Sequence, residues 1–303
     1  LSGTHALTVA LFGLLVPSDS VLCITGTPYD TLRGIVWGEG NGSLKDYKIS
    51  FETVALTQEG KVDEEAVRAA LSQKTYQMVY IQRSRGYELR DAFTVEEIGN
   101  MCSFVRAAGF EGVIFVDNCY GEFVETREPT EVGADVIVGS LIKNPGGGLA
   151  PTGGYIAGKE GCITRIENRL TAPSVGGEVG SYAYGYQYYY QGLFLAPHTV
   201  AQALKGGLLI GACLDALGYE NFPSADKMPA DITRAVRFNT EEELTGFIQS
   251  VQECSPVDSF VHLEAWDMPG YDCKVIMAAG SFVQGASIEL SADAPIRKPY
   301  TAY

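Results

Sequence analysis

The chain has 303 residues, enough to bury a large core as one large domain or two unequal ones. A hydrophobic fraction of 46% beside 19% charged residues is ordinary for a soluble globular protein, and a net charge of −15 with no basic patch argues against a nucleic-acid partner. Seven widely spaced cysteines without a CxxC, and three histidines without metal-ligand spacing, argue against a disulfide framework and against a metal site. The cysteine pattern fits a reducing compartment: the cytoplasm, or an organelle matrix if the N-terminus is processed.

The first apolar run, residues 6–16 (ALTVALFGLLV), is too short to span a bilayer. No basic segment precedes it and a Pro17-Ser18-Asp19 turn follows, so it reads as a buried helix rather than a signal peptide. Ser2-Gly3-Thr4-His5 stands at its start. This is a plain N-cap, or an anion cradle made of the free N–H groups that head a helix. The chain opens on Leu1 with this motif already in place, so a preceding segment is expected to be missing or removed. Val21–Thr25 is a short strand, followed by the loop Gly26 to Thr31 that opens a helix. Tyr29 in that loop can stack on a flat ring, or it is a core-edge tyrosine, common in a chain with seventeen of them.

Residues 38–46 (GEGNGSLKD) are glycine-rich but lack the GxGxxG spacing and a clear preceding strand, so they are not read as a phosphate loop. Lys48–Leu56 is strand-like, Asp63–Leu71 is an amphipathic helix, and Met78–Gln82 is a strand. The arginines that follow it, Arg83 and Arg85, either bind a carboxylate or phosphate or sit on a surface turn. Thr94–Ala108 is a helix with Val95, Ile98, Met101, Phe104 and Val105 on one face, and Val113–Asp117 and Val136–Ser140 are strands. This alternation predicts a mostly parallel sheet with helices on both faces and a ligand at the strands' C-terminal ends.

The stretch Asp135–Gly154 (DVIVGSLIKNPGGGLAPTGG) carries the chemistry. Lys143 is the only charged residue between Asp135 and Lys159, and desolvation among apolar and glycine residues would depress its pKa and make it a nucleophile suited to an aldehyde. About 25 residues earlier a buried strand ends in Asp117. Asp at one strand end and Ser-x-x-Lys at the next is the layout expected when pyridoxal phosphate (PLP) lies across the ends of parallel strands. Lys143 would take the aldehyde and Asp117 would face the pyridine nitrogen.

Tyr155–Ala157 reads as an antiparallel return strand and Ile163–Leu170 as a helix. The tract Ser181–Gln191 holds six tyrosines, for a subunit interface, a pocket mouth or packing inside the domain. A long helix from about Pro197 to Leu217, ended by Gly218, leads into a second, smaller part. There Ile232–Phe238 is a strand, Thr240–Glu253 a helix capped by Thr240, Lys274–Ala278 a strand and Ser281–Leu290 the last strand.

The segments SGTHA (2–6), ITGTPYDTL (24–32), IQRSRGY (81–87), FVDNCYGEFVE (115–125), GSLIKNPGGGLAPTGGYIAG (139–158), YQGLFLAPH (190–198) and FVQGASIELSADAPIRKPY (282–300) carry a resemblance along the whole chain. Together they resemble the methionine γ-lyase-like, aluminium-resistance branch of the Cys/Met-metabolism PLP enzymes. The resemblance implies an α/β, fold-type-I aminotransferase architecture: a PLP-binding large domain over residues 1–196, then a linking helix and small C-terminal α/β domain over 197–303. It implies further sequence before SGTHA and a short glycine-rich tail after the final PY.

Carried over by position, the resemblance implies that Lys143 holds the aldehyde as a Schiff base and moves the α-proton, and that Asp117 keeps the pyridine nitrogen protonated. Tyr29 stacks on the ring and protonates the leaving thiolate. The N–H groups of Gly3 and Thr4 with the Ser140 hydroxyl hold the phosphate. Arg297 is the candidate for the substrate carboxylate, or else forms a surface or interface salt bridge. The implied reaction is β- or γ-elimination from a sulfur amino acid such as cystathionine, methionine or cysteine, in a homodimer or homotetramer with no membrane span. The alternatives are another PLP reaction, such as aldol cleavage or transamination, and a non-catalytic PLP-fold subunit of a larger assembly.

Overall fold

The computed structural model of the protein describes residues 2–180 and 182–303. Leu1 and Ser181, the first residue of the tyrosine tract, lie outside the described residues. The elements run α1 (Gly3–Leu14), β1 (Ser20–Cys23), α2 (Asp30–Trp37), β2 (Ser50–Thr53), α3 (Glu64–Gln73), β3 (Met78–Gln82), α4 (Val95–Ala107), β4 (Val113–Asp117), β5 (Val136–Ser140), β6 (Gly154–Gly158), α5 (Glu160–Leu170) and α6 (Gln187–Ala216). Six strands form one sheet in the order β2-β1-β3-β4-β5-β6, parallel except for β6, which returns antiparallel to β5.

The four central strands, β1, β3, β4 and β5, are buried on both faces, so they read as near-continuous apolar runs whose alternation decides which helices each residue meets. Val21, Cys23, Met78, Tyr80, Phe115, Val136 and Val138 pack against α1, α2 and α5. Leu22, Ile24, Val79, Ile81, Ile114, Val116 and Ile137 point the other way, toward α3 and α4. From β1 the chain crosses to β2 on one side, then returns to β3 and proceeds to β4 and β5 on the other. That reversal opens a crevice at the C-terminal ends of β1 and β3.

The last part adds β7 (Glu220–Phe222), β8 (Ala235–Arg237), α7 (Glu241–Glu253), β9 (Val275–Ala278), β10 (Ala292–Pro295) and β11 (Thr301–Ala302). Strands β11-β8-β7 form one antiparallel sheet, and β9 and β10 form an antiparallel pair. Val236, Phe238, Leu244, Ile248, Ile276 and Ala294 share a core of their own, which Leu214 of α6 joins.

Several expectations are revised. Ser281–Leu290 is not a strand. Gly285 takes φ +75°, the Ala286 N–H closes a turn on the Val283 carbonyl, and Glu289 accepts from the Phe282 N–H. Local turns therefore satisfy the backbone that a ladder would have used. Helix α6 starts ten residues before Pro197, which lies inside it. Packing overrides the proline: a Cβ at Gly192 would overlap the Gly146 carbonyl, so the helix presses directly on the turn after Lys143. By length and apolar composition alone α6 would also reach across a membrane.

Arg83 and Arg85 are neither surface residues nor ligand-facing ones; they are 0% and 1% exposed. Arg83 donates to Glu125, Asn118 and the carbonyls of Phe93 and Ala230, and Arg85 to Thr233 and the Phe222 carbonyl. They tie the sheet's end to the start of the last part. In the glycine-rich loop, Asp46 accepts from the N–H groups of Gly40, Asn41 and Gly42, so its anion-binding amides are already taken.

Candidate active site

A cavity of about 730 Å³ lies at the C-terminal ends of the strands and reaches under the last part of the chain. Gly3, Thr4, Tyr29, Asp117, Ser140 and Lys143, far apart in sequence, all line it. Each is placed by the end of an element.

Ser2 caps α1 by accepting the His5 N–H on its side chain, which leaves the N–H groups of Gly3 and Thr4 at the head of the helix without an intrahelical acceptor. Gly3 stands so close to β5 that a Cβ there would lie 2.8 Å from the Ser140 Cβ. The Ser140 hydroxyl accepts the Ile142 N–H at 3.3 Å and keeps its own proton to donate. Two amides and a hydroxyl thus converge at a positive helix end, an arrangement suited to an anion.

Tyr29 immediately precedes α2, and Gln82 at the end of β3 accepts its backbone N–H at 2.9 Å. Burial raises the Tyr29 pKa and the Asp117 carboxylate adds to the rise, while hydrogen bonds to the Thr31 and Thr4 side chains work the other way. The phenol is therefore protonated at neutral pH. Asp117 ends β4 beside Gln82 of β3. It accepts from the Cys119 N–H at 3.2 Å and from the Tyr80 hydroxyl at 3.3 Å. Burial pushes its carboxyl up to about 6, with those two hydrogen bonds opposing. A positive partner would hold it ionised.

Lys143 follows β5 on a turn fixed by buried Asn144, whose side-chain amide donates to the carbonyls of Tyr120 and Glu122, both at 2.9 Å. The lysine donates to the Gly285 carbonyl at 2.7 Å and the Ser287 hydroxyl at 2.6 Å, with the Tyr120 ring 5.2 Å away. The expectation of a depressed pKa is corrected. Burial does lower it, but the acidic groups around it, Tyr120 first and then Cys119 and Asp293, outweigh burial and raise it. Tyr120 and Cys119 are themselves raised by burial and keep their protons near neutrality. The anion that faces Lys143 there is Asp293.

Arg297 is placed elsewhere. It does not line this cavity but pairs with Asp272 at 2.9 Å and Asp30 at 3.6 Å, and is 37% exposed. Two acidic neighbours already claim its fork. Among the described residues, the guanidinium that does line the cavity is Arg234, whose Nε is buried without a partner. Sequence reasoning missed Arg234, Asp293, Tyr87 and Ser287. All come from loops or strands of low local signal, brought to the lysine only by the fold.

The family model for methionine gamma-lyase matches residues 1–303. The chain belongs to the methionine gamma-lyase family. It is 51% identical to the uncharacterized protein YnbB of Bacillus subtilis, covering 100% of this chain and 72% of that one. A carbon–sulfur lyase involved in aluminium resistance from Clostridium novyi superposes with a TM-score of 0.93 at 47% identity, over 99% of this chain and 71% of that one. A candidate cystathionine beta-lyase involved in aluminium resistance from Clostridium acetobutylicum gives 0.95 at 47% identity, over 100% and 71%. The fold itself extends further: the PLP-dependent protein YhfS of Escherichia coli superposes at 0.62 with 18% identity. The architecture is thus that of the fold-type-I PLP proteins.

Proposed function

We propose that this family member is a PLP-dependent carbon–sulfur lyase that acts on a sulfur amino acid such as cystathionine, methionine or cysteine. One observation carries the reading: Lys143, Asp117, Tyr29, Ser140 and the N–H groups of Gly3 and Thr4 line one cavity at the crevice of an α/β sheet. The site fits PLP. The close packing of Gly3 on Ser140 leaves a cradle for the phosphate, and the buried Asp117 carboxyl suits a protonated ring nitrogen. Bound there, PLP supplies an electron sink for charge developing at the substrate's Cα.

The chain's own residues do the rest. Gly3, Thr4 and Ser140 orient the phosphate, and Asp117 holds a proton on the ring nitrogen. The Lys143 amine, once free, moves the α-proton, and its Tyr120, Gly285 and Ser287 neighbours hold it in place. The Tyr29 phenol, protonated at neutral pH, stands ready to give its proton to a departing thiolate. Arg234 supplies the positive charge for the substrate carboxylate in place of Arg297.

The large part would hold the cofactor beneath the last part of the chain, and the implied division at 196/197 falls inside the continuous helix α6, which links the two. Exposed aromatic residues around the start of α6, with Tyr184 87% and Phe194 83% exposed, support a homodimer or homotetramer. They also support reading α6 as an interface element rather than a membrane span. All seven cysteines are free, in keeping with a reducing compartment such as the cytoplasm.

The test is the absorption spectrum of the purified protein with added PLP, followed by a thiol-release assay on cystathionine, methionine and cysteine. A yellow band that borohydride bleaches and that Lys143→Ala lacks, together with thiol release lost by at least about 100-fold in that variant, supports the proposal. A protein that stays colourless, or that exchanges amino groups without releasing thiol, refutes it.

A further inference from the structure

Asp293 of β10 lines the same cavity, yet nothing in the reading above uses it. Its backbone is committed to the sheet edge, where its N–H and carbonyl pair with Tyr303. Its side chain holds one long hydrogen bond. One oxygen lies 3.5 Å from the Tyr87 hydroxyl, and that hydroxyl lies 3.4 Å from the hydroxyl of Tyr271. The Tyr87 ring is held by Tyr271 and Tyr303, with centroids 5.8 and 4.9 Å apart, and Tyr303 donates to the Tyr87 carbonyl at 2.7 Å. A carboxylate and two hydroxyls are thus gathered from the loop after β3, from β10 and from the segment before β9.

The groups that face Asp293 are few. Among the described residues, Lys143, Tyr87, Tyr120 and Tyr271 are the titratable groups that interact with it. Strand β9 places Met277 opposite it. Asp30, which acts on Tyr271, is paired with Arg33 and Arg297. Lys143 is therefore the cation nearest in function, and a second cation would be attracted to the same place.

An amino-acid substrate brings such a cation. Its α-nitrogen arrives as an ammonium, which has no lone pair and must lose a proton before it can displace Lys143. Resting on the lyase reading above, we propose that Asp293, which accepts from the Tyr87 hydroxyl, receives the substrate's α-ammonium and takes its proton. One N–H bond of the ammonium breaks and one O–H bond forms on the carboxylate. The proton returns to water when the carboxyl ionises again. The site thereby selects amines that arrive protonated.

The experiment compares wild type with Asp293→Asn and Tyr87→Phe. In cofactor-free protein, trace acetylation of Lys143 across pH, read by mass spectrometry, gives the titration of its amine. Asp293→Asn should shift that titration to lower pH, because the facing anion is gone. In the loaded enzyme, kcat/KM for thiol release near pH 7 should fall about 100-fold, then recover as pH approaches the substrate amine's own pKa. Tyr87→Phe should give a smaller loss of the same form. An unmoved Lys143 titration together with a parallel, unrescued pH profile overturns the proposal, and the Tyr87→Phe profile decides it alone if Asp293→Asn does not fold. Failure of the lyase reading is distinct: the wild type then releases no thiol, while the Lys143 titration still reports whether Asp293 faces it.

Discussion

At the scale of single residues, burial raises the carboxyl groups in and beneath the site. Glu122 sits beneath the Lys143 turn. It accepts the Tyr155 hydroxyl at 2.7 Å on one oxygen, and its other oxygen is buried without a partner. Burial pushes its carboxyl from an ordinary 4.5 up to about 8. A folded-state pKa above the unfolded one means that the contribution is fully present below about pH 4.5 and is lost as pH rises toward 8. Asp117 and Asp293, each raised to about 6, act with the same sign over a lower window. Carboxyls of lowered pKa, such as Glu52, act below these windows. The melting temperature of the cofactor-free protein should therefore fall between about pH 5 and pH 8. Glu122→Gln should flatten the part above pH 6. A melting temperature that climbs across this range would contradict the assignment.

Two junctions between elements shape the surroundings of Lys143. The first is the close approach of α6 to the turn after Lys143. Gly147 takes φ +55° there, and neither Gly146 nor Gly192 has room for a side chain. Gly192→Ala should cost about 1–3 kcal/mol by overpacking and loosen the turn, with loss of activity in excess of the loss of stability. The readout is chemical denaturation beside thiol release. The second junction is Arg83, which holds the loop after β4 to the start of α4 and to the last part through Glu125 and the Ala230 carbonyl. Arg83→Met removes one partner from a buried charge cluster and should destabilise by about 3–5 kcal/mol, measured by urea unfolding. A change below about 1 kcal/mol would show that the cluster is relaxed by water.

On the scale of the whole molecule, a large apolar surface stands open around the start of α6, where Tyr184, Tyr190 and Phe194 project outward. A patch of this kind on an acidic protein is stable in solution when a second copy covers it. Sedimentation should show a dimer or tetramer. Phe194→Arg should weaken it, with no change in the circular dichroism of the fold. A wild-type monomer would remove the proposal.

The strands of the parallel sheet were legible in the amino-acid pattern. Continuous apolar runs such as VLCI and VIFVD can be buried on both faces only between two layers of helix, and the capping residues Ser2, Asp63, Thr94 and Thr240 set helix starts locally. Strand ends carrying Asp117 and Ser140-x-x-Lys143 were legible for the same reason: a parallel sheet presents its C-terminal ends together. What surrounds the lysine is set by contacts between distant segments. Arg297 is drawn away by Asp30 and Asp272, Arg83 and Arg85 are swallowed as clamps, and the 281–290 segment is bent into turns that offer Gly285 and Ser287 to the amine. The pKa of Lys143 follows from groups up to 150 residues distant in the chain, Tyr120, Cys119 and Asp293 together outweighing burial, so its direction was not readable from its apolar neighbours. Electrostatics depends on distance through space, and local sequence pattern does not encode that distance.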